Sequence, residues 1–262
     1  MLCRYRAWHD RRVHPRTVTP ELPSETGVRD GLSYSLWLPS TTALGGVVIL
    51  HGAGSCKENH YDFARAVLGA GHGAIVFDQR GHGESEGPMD GRALADVVAM
   101  AELLRSRIGS KAAPPIALRG SSMGGYLALV SAAPAGAAAV VAVCPAGDEG
   151  LRRGLADGRF TFNADPDGLD RFLAAHKVLA AARELTVPVL LLHAEGDERV
   201  PVEHSRELAA VLRSPRSRLI APPGGHHQSI QHDAEMQAVS LRFIELALAD
   251  AADGPPAENG LR

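Results

Sequence analysis

The stretch that most constrains this chain lies between residues 115 and 130, where a glycine-rich turn separates two apolar runs. The first run, Ile116–Leu118, predicts a buried strand, and the second, Tyr126–Val130, predicts a packed helix. The turn reads Gly120-Ser121-Ser122-Met123-Gly124, which is a Gly-x-Ser-x-Gly pattern. Between a strand and a helix this pattern exposes a nucleophilic serine, because the sharp turn requires small neighbours. We therefore predict that Ser122 is a nucleophile.

A second Gly-x-Ser-x-Gly match, residues 83–87, lies in a different context. It follows the apolar run Ala74–Phe77, but Pro88 comes next and no helical period begins until about Arg92. Without a helix directly after the turn, a serine at this position lacks the setting of a nucleophile. We expect Ser85 to be a loop residue.

Length and composition set the class of protein. The 262 residues suit one large α/β domain or two small ones. Hydrophobic residues make up 45% and charged residues 22%, which supports a sizeable core and argues against wholesale disorder. The net charge of −3, without long charged blocks, argues against nucleic acid or an anionic membrane surface as a partner.

Cysteines and apolar stretches bear on compartment and partners. The 3 cysteines are unclustered and odd in number, so they predict neither a disulfide framework nor a zinc site. The N-terminal residues lack the apolar stretch of a signal peptide, and no stretch approaches the roughly 20 apolar residues of a membrane span. We expect a cytoplasmic protein with no membrane span, no metal and no nucleic-acid partner. Its oligomeric state is left open, with a homodimer among the options.

Strand-like runs alternate with helical patterns along most of the chain. Residues 17–19 and Leu32–Leu38 predict edge strands, and the second alternates apolar and polar residues. Further strands are predicted at Gly45–Leu50, Ala74–Phe77, Ile116–Leu118, Ala139–Cys144, Val187–His193 and Arg218–Ala221. Helices are predicted at Arg92–Ile108, Glu203–Arg213 and Ala234–Leu248. This alternation predicts a mostly parallel central sheet covered by helices on both faces.

One interval breaks the alternation. About 40 residues separate the sixth strand, near Cys144, from the strand at Val187, which is far longer than an ordinary connection. An insertion at the carboxyl edge of a parallel sheet is where a cap over an active site would lie. We predict a core of residues 1–146 and 186–250, a cap insertion of residues 147–185, and a disordered tail of residues 251–262.

Two groups of cap residues are candidates for substrate contact. The aromatic residues Phe160, Phe162 and Phe172 would either line an acyl pocket or pack the cap onto the body. The basic residues Arg152, Arg153 and Arg159 would either receive an acidic substrate or form a solvated face. The sequence leaves both alternatives open.

A serine hydroxyl becomes an effective nucleophile when a base takes its proton and a carboxylate holds that base. Asp197 lies in a glycine-containing loop after an apolar strand, and His226 and His227 follow two glycines before the last helix. We favour Asp197 over Asp148, which also follows a strand, because the Val200-Pro201 pair restarts the chain and fixes a tight loop. Of the two adjacent histidines we favour His226.

Five blocks of sequence together resemble the α/β-hydrolase superfamily, and within it the esterase, monoacylglycerol-lipase-like and serine-aminopeptidase-like group. They are residues 51–54 (His-Gly-Ala-Gly), residues 77–85, Gly120–Gly124, the segment from His193 to Pro201, and residues 224–226. The blocks occur in order at predicted strand ends and span nearly the whole chain. The resemblance implies the α/β-hydrolase fold and hydrolysis through an acyl-serine, without a cofactor.

The resemblance also implies a role for each site residue. Ser122 would attack, His226 would transfer the proton and Asp197 would orient His226. The backbone N–H of Met123, which follows the nucleophile, would stabilise the oxyanion. By resemblance the second oxyanion donor is the N–H of Ala53, while His51, His60, His72 and His82 are expected to be structural.

The reaction we expect is that of a carboxylesterase on a small-molecule ester with a short to medium acyl chain. A serine peptidase, a thioesterase and a carbon–carbon bond hydrolase use the same catalytic set. A non-catalytic ligand-binding protein on this scaffold is a remoter alternative, since the fold alone does not decide function.

Overall fold

An eight-stranded sheet forms the centre of the computed structural model, which describes residues 20–109 and 114–253. Its strands are β1 (Glu25–Arg29), β2 (Leu32–Trp37), β3 (Gly46–Leu50), β4 (Gly73–Phe77), β5 (Ile116–Ser121), β6 (Ala137–Val143), β7 (Val189–Leu192) and β8 (Arg218–Ile220). Their spatial order is β1-β2-β4-β3-β5-β6-β7-β8. The β1–β2 and β2–β4 pairs are antiparallel and the other pairs are parallel. The predicted mostly parallel α/β sheet is confirmed.

Eight helices connect the strands in the described part of the chain. They are α1 (Tyr61–Gly69), α2 (Ala93–Ile108), α3 (Met123–Ser131), α4 (Asp148–Ala156), α5 (Pro166–Ala175), α6 (Val178–Glu184), α7 (Val202–Val211) and α8 (Ala234–Asp253), and a 3₁₀ turn spans Lys57–His60. Residues of β3 alternate between two apolar clusters: Val48 and Leu50 contribute to one, Val47 and Ile49 to the other. The clusters include α2 and α3 on one face and α1 and α8 on the other, so both faces of the sheet are covered.

The predicted strands within the described residues all form, with ends that differ by up to three residues. The predicted strand at residues 17–19 lies outside the described residues. Sequence analysis missed β1, whose residues alternate between half-buried and exposed and therefore carry little apolar signal. Helix α8 continues through residues 251–253, so the predicted disordered tail is wrong for these three positions; residues 254–262 are outside the description.

The interval predicted as a cap contains α4, α5 and α6, and several hydrogen bonds tie it to the rest of the chain. Asn163 donates its N–H to the carbonyl of Gly81 at 3.1 Å, and Met89 donates to the carbonyl of Asn163 at 2.9 Å. On the other side, the Tyr126 hydroxyl of α3 donates to the carbonyl of His176 at 2.8 Å. The inserted segment is thus anchored to the body at two separate places.

An ion cluster around the buried Lys57 and Asp78 joins the loops that follow β3 and β4. Lys57 Nζ lies 2.9 Å from Asp78 Oδ2 and 2.8 Å from Glu84 Oε2, and Asp78 also accepts the N–H groups of Lys57 and Glu84. Burial of Lys57 opposes its charge, but the hydrogen bonds that its ammonium donates to Glu84, Asp78 and Glu58 outweigh burial and raise the pKa of Lys57. The cluster therefore fixes the two loops relative to each other.

Replacing Lys57 with Met should lower the free energy of unfolding by about 3 kcal/mol, because the buried Asp78 carboxylate would lose its cation. Urea unfolding at pH 7 measures the loss. Arg213→Met is the matched control, since Arg213 and Glu184 form an exposed pair 3.3 Å apart. Such a pair contributes at most about 1 kcal/mol, so equal losses in the two variants would contradict the prediction.

Candidate active site

Ser122 occupies a strained turn between β5 and α3. Its backbone has φ 55° and ψ −116°, a conformation that residues other than glycine rarely adopt. The turn closes only because its neighbours lack side chains: a Cβ on Gly120 would collide with the carbonyl of Gly124. A Cβ on Gly124 would in turn collide with the carbonyl of Leu50 at the end of β3. This is the strand–turn–helix setting that the Gly-x-Ser-x-Gly pattern predicts.

The histidine that meets the serine is His227. Its Nε2 lies 2.9 Å from Ser122 Oγ, and its Nδ1 lies 2.7 Å from Asp197 Oδ2. Because Nδ1 faces a carboxylate, we assign the ring proton to Nδ1, which leaves Nε2 to accept the hydrogen bond from the serine hydroxyl. The backbone N–H of His227 donates to Glu198 Oε2 at 3.1 Å. Ser122, His227 and Asp197 are thus joined by hydrogen bonds.

The prediction of His226 for this position is wrong. His226 is exposed, and its Nδ1 accepts the N–H of Gln228 at 3.3 Å. Gly224 and Gly225 both have left-handed φ values, +69° and +75°, and the turn that they form directs His227 toward Ser122. Both histidines follow the glycines in sequence, so the spacing held no signal to separate them.

Three hydrogen bonds and one close contact hold Asp197. Its Oδ1 accepts the N–H groups of Arg199 at 2.8 Å and Val200 at 2.9 Å, while its Oδ2 faces His227 and, at 3.3 Å, Nε2 of His193. Burial alone would raise the pKa of Asp197, but the hydrogen bonds from the two histidines and the two N–H groups outweigh burial. They hold the pKa well below its usual range, so the carboxylate is ionised at neutral pH.

Asp148, the alternative acid, lies at the start of α4 and is engaged elsewhere. Its carboxylate accepts hydrogen bonds from Lys177 Nζ at 2.8 Å and from the N–H of Val178 at 3.1 Å. Those bonds join α4 to α6 within the inserted segment. The structure therefore places Asp197, and not Asp148, beside the histidine.

The two predicted oxyanion donors flank the nucleophile. Met123 is the first residue of α3, where N–H groups have no partner within the helix. The loop that contains Ala53 passes directly over the serine, since a Cβ on Gly52 would lie 3.2 Å from Ser122 Cβ. His51 fixes this loop: Nδ1 donates to the carbonyl of Gly52 at 2.8 Å, and Nε2 accepts the N–H of Gln79 at 3.0 Å. Burial and the nearby His82 lower the pKa of His51 to about 4, which agrees with a neutral ring.

A cleft of about 1210 Å³ opens above Ser122, between the inserted helices and the body. Its apolar lining includes Ala53, Leu151, Phe160, Val178, Leu179 and Val200. Charged residues of both signs also line it, among them Glu149, Arg153, Arg159, Lys177, Glu203 and Glu207. The cleft thus combines a limited apolar wall with a mixed-charge border.

Of the three aromatic candidates in the inserted segment, Phe160 alone lines this cleft. Phe162 is stacked between Phe160, with ring centroids 5.0 Å apart, and His82, with centroids 4.2 Å apart. Phe172 is buried edge-on to Tyr126 of α3. The prediction that Phe162 and Phe172 line an acyl pocket is therefore wrong; both pack the inserted segment onto the body, which was the alternative.

The three arginine candidates of the inserted segment have different surroundings. Arg152 pairs with Asp170 at 2.7 Å, whereas Arg153 and Arg159 reach the cleft.

In the second Gly-x-Ser-x-Gly match, Ser85 donates its hydroxyl to the carbonyl of Asp78 and accepts the N–H of Ser33 at 2.8 Å. Ser85 is a loop residue, as the sequence predicts.

Gln231 is a site residue that sequence analysis missed. Its Oε1 accepts the hydroxyl of Ser121 at 2.9 Å, and its carbonyl accepts Nη2 of Arg119 at 3.2 Å. Ser121 and Arg119 belong to β5, so these bonds fasten the loop that contains His227 to the strand that ends directly before Ser122. Nothing in the local sequence pattern marks this glutamine.

Cys144 lies at the end of β6, close to Asp197 and His227. It is completely buried, and burial raises the pKa of its thiol to about 12. A thiol at this pKa is protonated at neutral pH and is a poor nucleophile. Cys144 therefore packs beside the site without offering a second nucleophile.

Comparisons with known proteins identify the family to which the chain belongs. Residues 46–186 match the family model for the alpha/beta hydrolase fold, and residues 173–254 match a model described as TAP-like protein. The chain belongs to the α/β-hydrolase family.

Individual relatives cover most of the chain. A monoacylglycerol lipase of Mycolicibacterium smegmatis is 30% identical over 77% of this chain and 87% of its own length. The uncharacterized protein YfhR of Salmonella typhimurium is 24% identical over 92% of this chain and 87% of its own length. The structure of a soluble variant of Saccharomyces cerevisiae monoglyceride lipase, in complex with a substrate analog, has a TM-score of 0.67. That likeness covers 89% of this chain and 95% of the yeast chain at 18% identity.

Across residues 20–109 and 114–253, none of the helices has the length and apolar character needed to cross a bilayer.

Replacing Asp197 with Asn should reduce the free energy of unfolding at pH 7 by roughly 2 kcal/mol, because charge-assisted hydrogen bonds to a buried carboxylate are lost. A depressed pKa stabilises the fold above the pKa of the unfolded chain, about 3.9, and this stabilisation is lost as the pH falls toward the folded value. The difference in the free energy of unfolding between wild type and variant should therefore be equal at pH 7 and pH 5 and about 1 kcal/mol smaller at pH 3.

Urea unfolding of the two proteins at the three pH values measures this gap, and other carboxylates cancel because both proteins contain them. A gap that widens at pH 3 would contradict the depressed pKa of Asp197.

Proposed function

We propose that the protein is a serine hydrolase that cleaves carboxylic esters with short to medium acyl chains through an acyl-serine intermediate. The observation that carries this proposal is the line of hydrogen bonds from Asp197 through His227 to Ser122, at the base of an open cleft. A carboxylate, an imidazole and a serine hydroxyl in this order make the hydroxyl nucleophilic.

Acylation begins when Ser122 Oγ attacks the ester carbonyl carbon and His227 Nε2 takes the hydroxyl proton. The negative charge of Asp197 stabilises the resulting imidazolium and holds its Nδ1–H in place. The carbonyl oxygen becomes an oxyanion that accepts hydrogen bonds from the N–H groups of Ala53 and Met123. The tetrahedral intermediate collapses, the C–O bond to the alcohol breaks, and His227 returns the proton to the departing oxygen.

Deacylation repeats the same proton transfers with water as the nucleophile. His227 accepts a proton from water as the water oxygen attacks the acyl-serine carbonyl. The bond to Ser122 Oγ then breaks and Oγ regains its proton from His227. The carboxylic acid leaves and the enzyme returns to its starting state without a cofactor.

The cleft supports the substrate class. Phe160, Leu151 and Leu179 provide an apolar wall for a modest acyl or alkyl group, while charged side chains border the same cleft. A long acyl chain would have to extend past these charges, which are costly to desolvate. The names of two of the similar proteins, a monoacylglycerol lipase and a monoglyceride lipase, support esters as substrates.

The nucleophile can be tested directly. Ser122→Ala should abolish turnover of p-nitrophenyl butyrate and labelling by a fluorophosphonate probe, because no other hydroxyl within residues 20–109 and 114–253 is hydrogen-bonded to His227. The wild type should be labelled, and its rates should fall for long-chain esters. Circular dichroism confirms that the variant is folded. Labelling that persists in the variant, or faster cleavage of aminoacyl-anilides than of esters by the wild type, would overturn the proposal.

Two adjacent histidines and two aspartates provide matched pairs for the other roles. His227→Gln should lower kcat by at least about 10³-fold and Asp197→Asn by on the order of 10⁴-fold, as in well-studied triads. His226→Gln and Asp148→Asn should retain activity within about threefold, since neither residue contacts Ser122, His227 or Asp197 through a side-chain hydrogen bond. Steady-state kinetics at pH 7.5 measures all four; a larger loss in His226→Gln than in His227→Gln would reverse the assignment.

A further inference from the structure

His193 contacts the same carboxylate oxygen as His227 but from the protein interior. It follows β7 directly and is completely buried. Its Nε2 lies 2.9 Å from the carbonyl oxygen of Val200 and 3.3 Å from Asp197 Oδ2. Its Nδ1 lies 2.7 Å from the hydroxyl oxygen of Ser205, a buried residue of α7.

These partners determine which ring nitrogen carries the proton. Nε2 faces a carbonyl and a carboxylate, and both are acceptors, so it must be an N–H donor. With the proton on Nε2, Nδ1 is free to accept, and the Ser205 hydroxyl is the donor that it meets. The two acceptors at Nε2 thus fix the tautomer, and the Ser205 hydroxyl, by donating to Nδ1, holds the ring in the orientation in which Nε2–H faces Val200 and Asp197.

The loop around Asp197 is closed by the same ring. Asp197 Oδ1 accepts the backbone N–H of Val200, and His193 Nε2 lies against the carbonyl of the same residue. Both backbone polar groups of Val200 are therefore hydrogen-bonded. Oδ2 is left between two imidazoles, His193 on the buried side and His227 on the side of the serine. Rotation of the carboxylate would break the hydrogen bond to His227 and the contact with His193 at once.

We propose that His193 and Ser205 are positioning residues that orient the Asp197 carboxylate toward His227. Neither residue lines the cleft or contacts Ser122, so their effect on the reaction passes through Asp197. This role rests on the proposed function, because it matters for turnover only if Asp197 and His227 act as proposed.

The role predicts a specific kinetic signature. A misdirected carboxylate holds the His227 ring less well, and a misplacement on the order of 1 Å costs up to about 10²-fold in rate. Because substrate binding is untouched, kcat should fall while KM stays constant. The downfield proton resonance of the His227 Nδ1–H should also weaken or move.

Ser205→Ala tests the orientation of the His193 ring with a minimal change. We expect kcat for p-nitrophenyl butyrate to fall about tenfold with KM unchanged within twofold, because Nδ1 of His193 loses the hydrogen bond that holds the ring against Asp197. Ser240→Ala is the matched control: Ser240 is also a buried helix serine, and its hydroxyl donates to the carbonyl of Met236 at 2.7 Å, away from the site. The control should keep wild-type kcat even if it loses similar stability.

Two substitutions of His193 separate donation from bulk. His193→Gln retains an N–H donor near the position of Nε2 and should keep kcat within about fivefold, whereas His193→Phe fills the space without a donor and should lose about 10²-fold. Urea unfolding of each variant shows whether it is folded, and the Ser205→Ala result decides the question if His193→Phe does not fold.

The outcomes distinguish this inference from the proposed function. If Ser205→Ala retains wild-type kcat, or changes KM alone, the positioning role is overturned while fluorophosphonate labelling of Ser122 leaves the proposed function intact. If Ser122→Ala is still labelled, the proposed function fails and the positioning role fails with it. A tenfold loss of kcat in Ser205→Ala, with wild-type kcat in Ser240→Ala, supports the role.

Discussion

The close approach of the turn Gly120–Gly124 to the end of β3 is the constraint on which the site depends. Any side chain at Gly120 or Gly124 would collide with backbone, of the turn itself in one case and of β3 in the other. Only with glycine at both positions can α3 begin directly behind β5 and force Ser122 into its left-handed conformation. That conformation presents the hydroxyl to the cleft and leaves the N–H of Met123 at the helix start, so one packing requirement places both the proposed nucleophile and a proposed oxyanion donor.

Asp197, His227 and Ala53 lie on neighbouring loops at the same edge of the sheet. Hydrogen bonds between these loops fix their relative positions. Gly196 donates its N–H to the carbonyl of Gly224 at 2.8 Å, which joins the loop of the acid to the loop of the histidine. The Ser121–Gln231 hydrogen bond joins the loop that contains His227 to β5. The hydrogen bond from Gln79 to His51 joins the loop that contains Ala53 to the chain after β4. Because the loops are fixed before substrate arrives, little reorganisation is needed during the reaction.

The sequence predicted what depends on local pattern. Apolar runs located the central strands, and glycines at fixed offsets identified Ser122, because a strained turn permits few residue types. The choice between His226 and His227 depends on the direction in which a turn with two left-handed glycines presents the next residues, and that direction follows from the loop contacts. The sequence left the role of Phe162 open for a similar reason: aromatic residues in an inserted segment look alike in sequence, and the stacking against His82 shows that Phe162 faces the body.

The inserted segment is connected to the same helix that begins at the nucleophile. Tyr126 of α3 is fully buried and donates to the carbonyl of His176, one residue before the Lys177 that pairs with Asp148. This hydrogen bond adds to the edge-on packing of Phe172 against the Tyr126 ring. The inserted helices that border the cleft and the helix that begins after Ser122 are therefore packed against each other, because separating them would leave the buried Tyr126 hydroxyl without its partner.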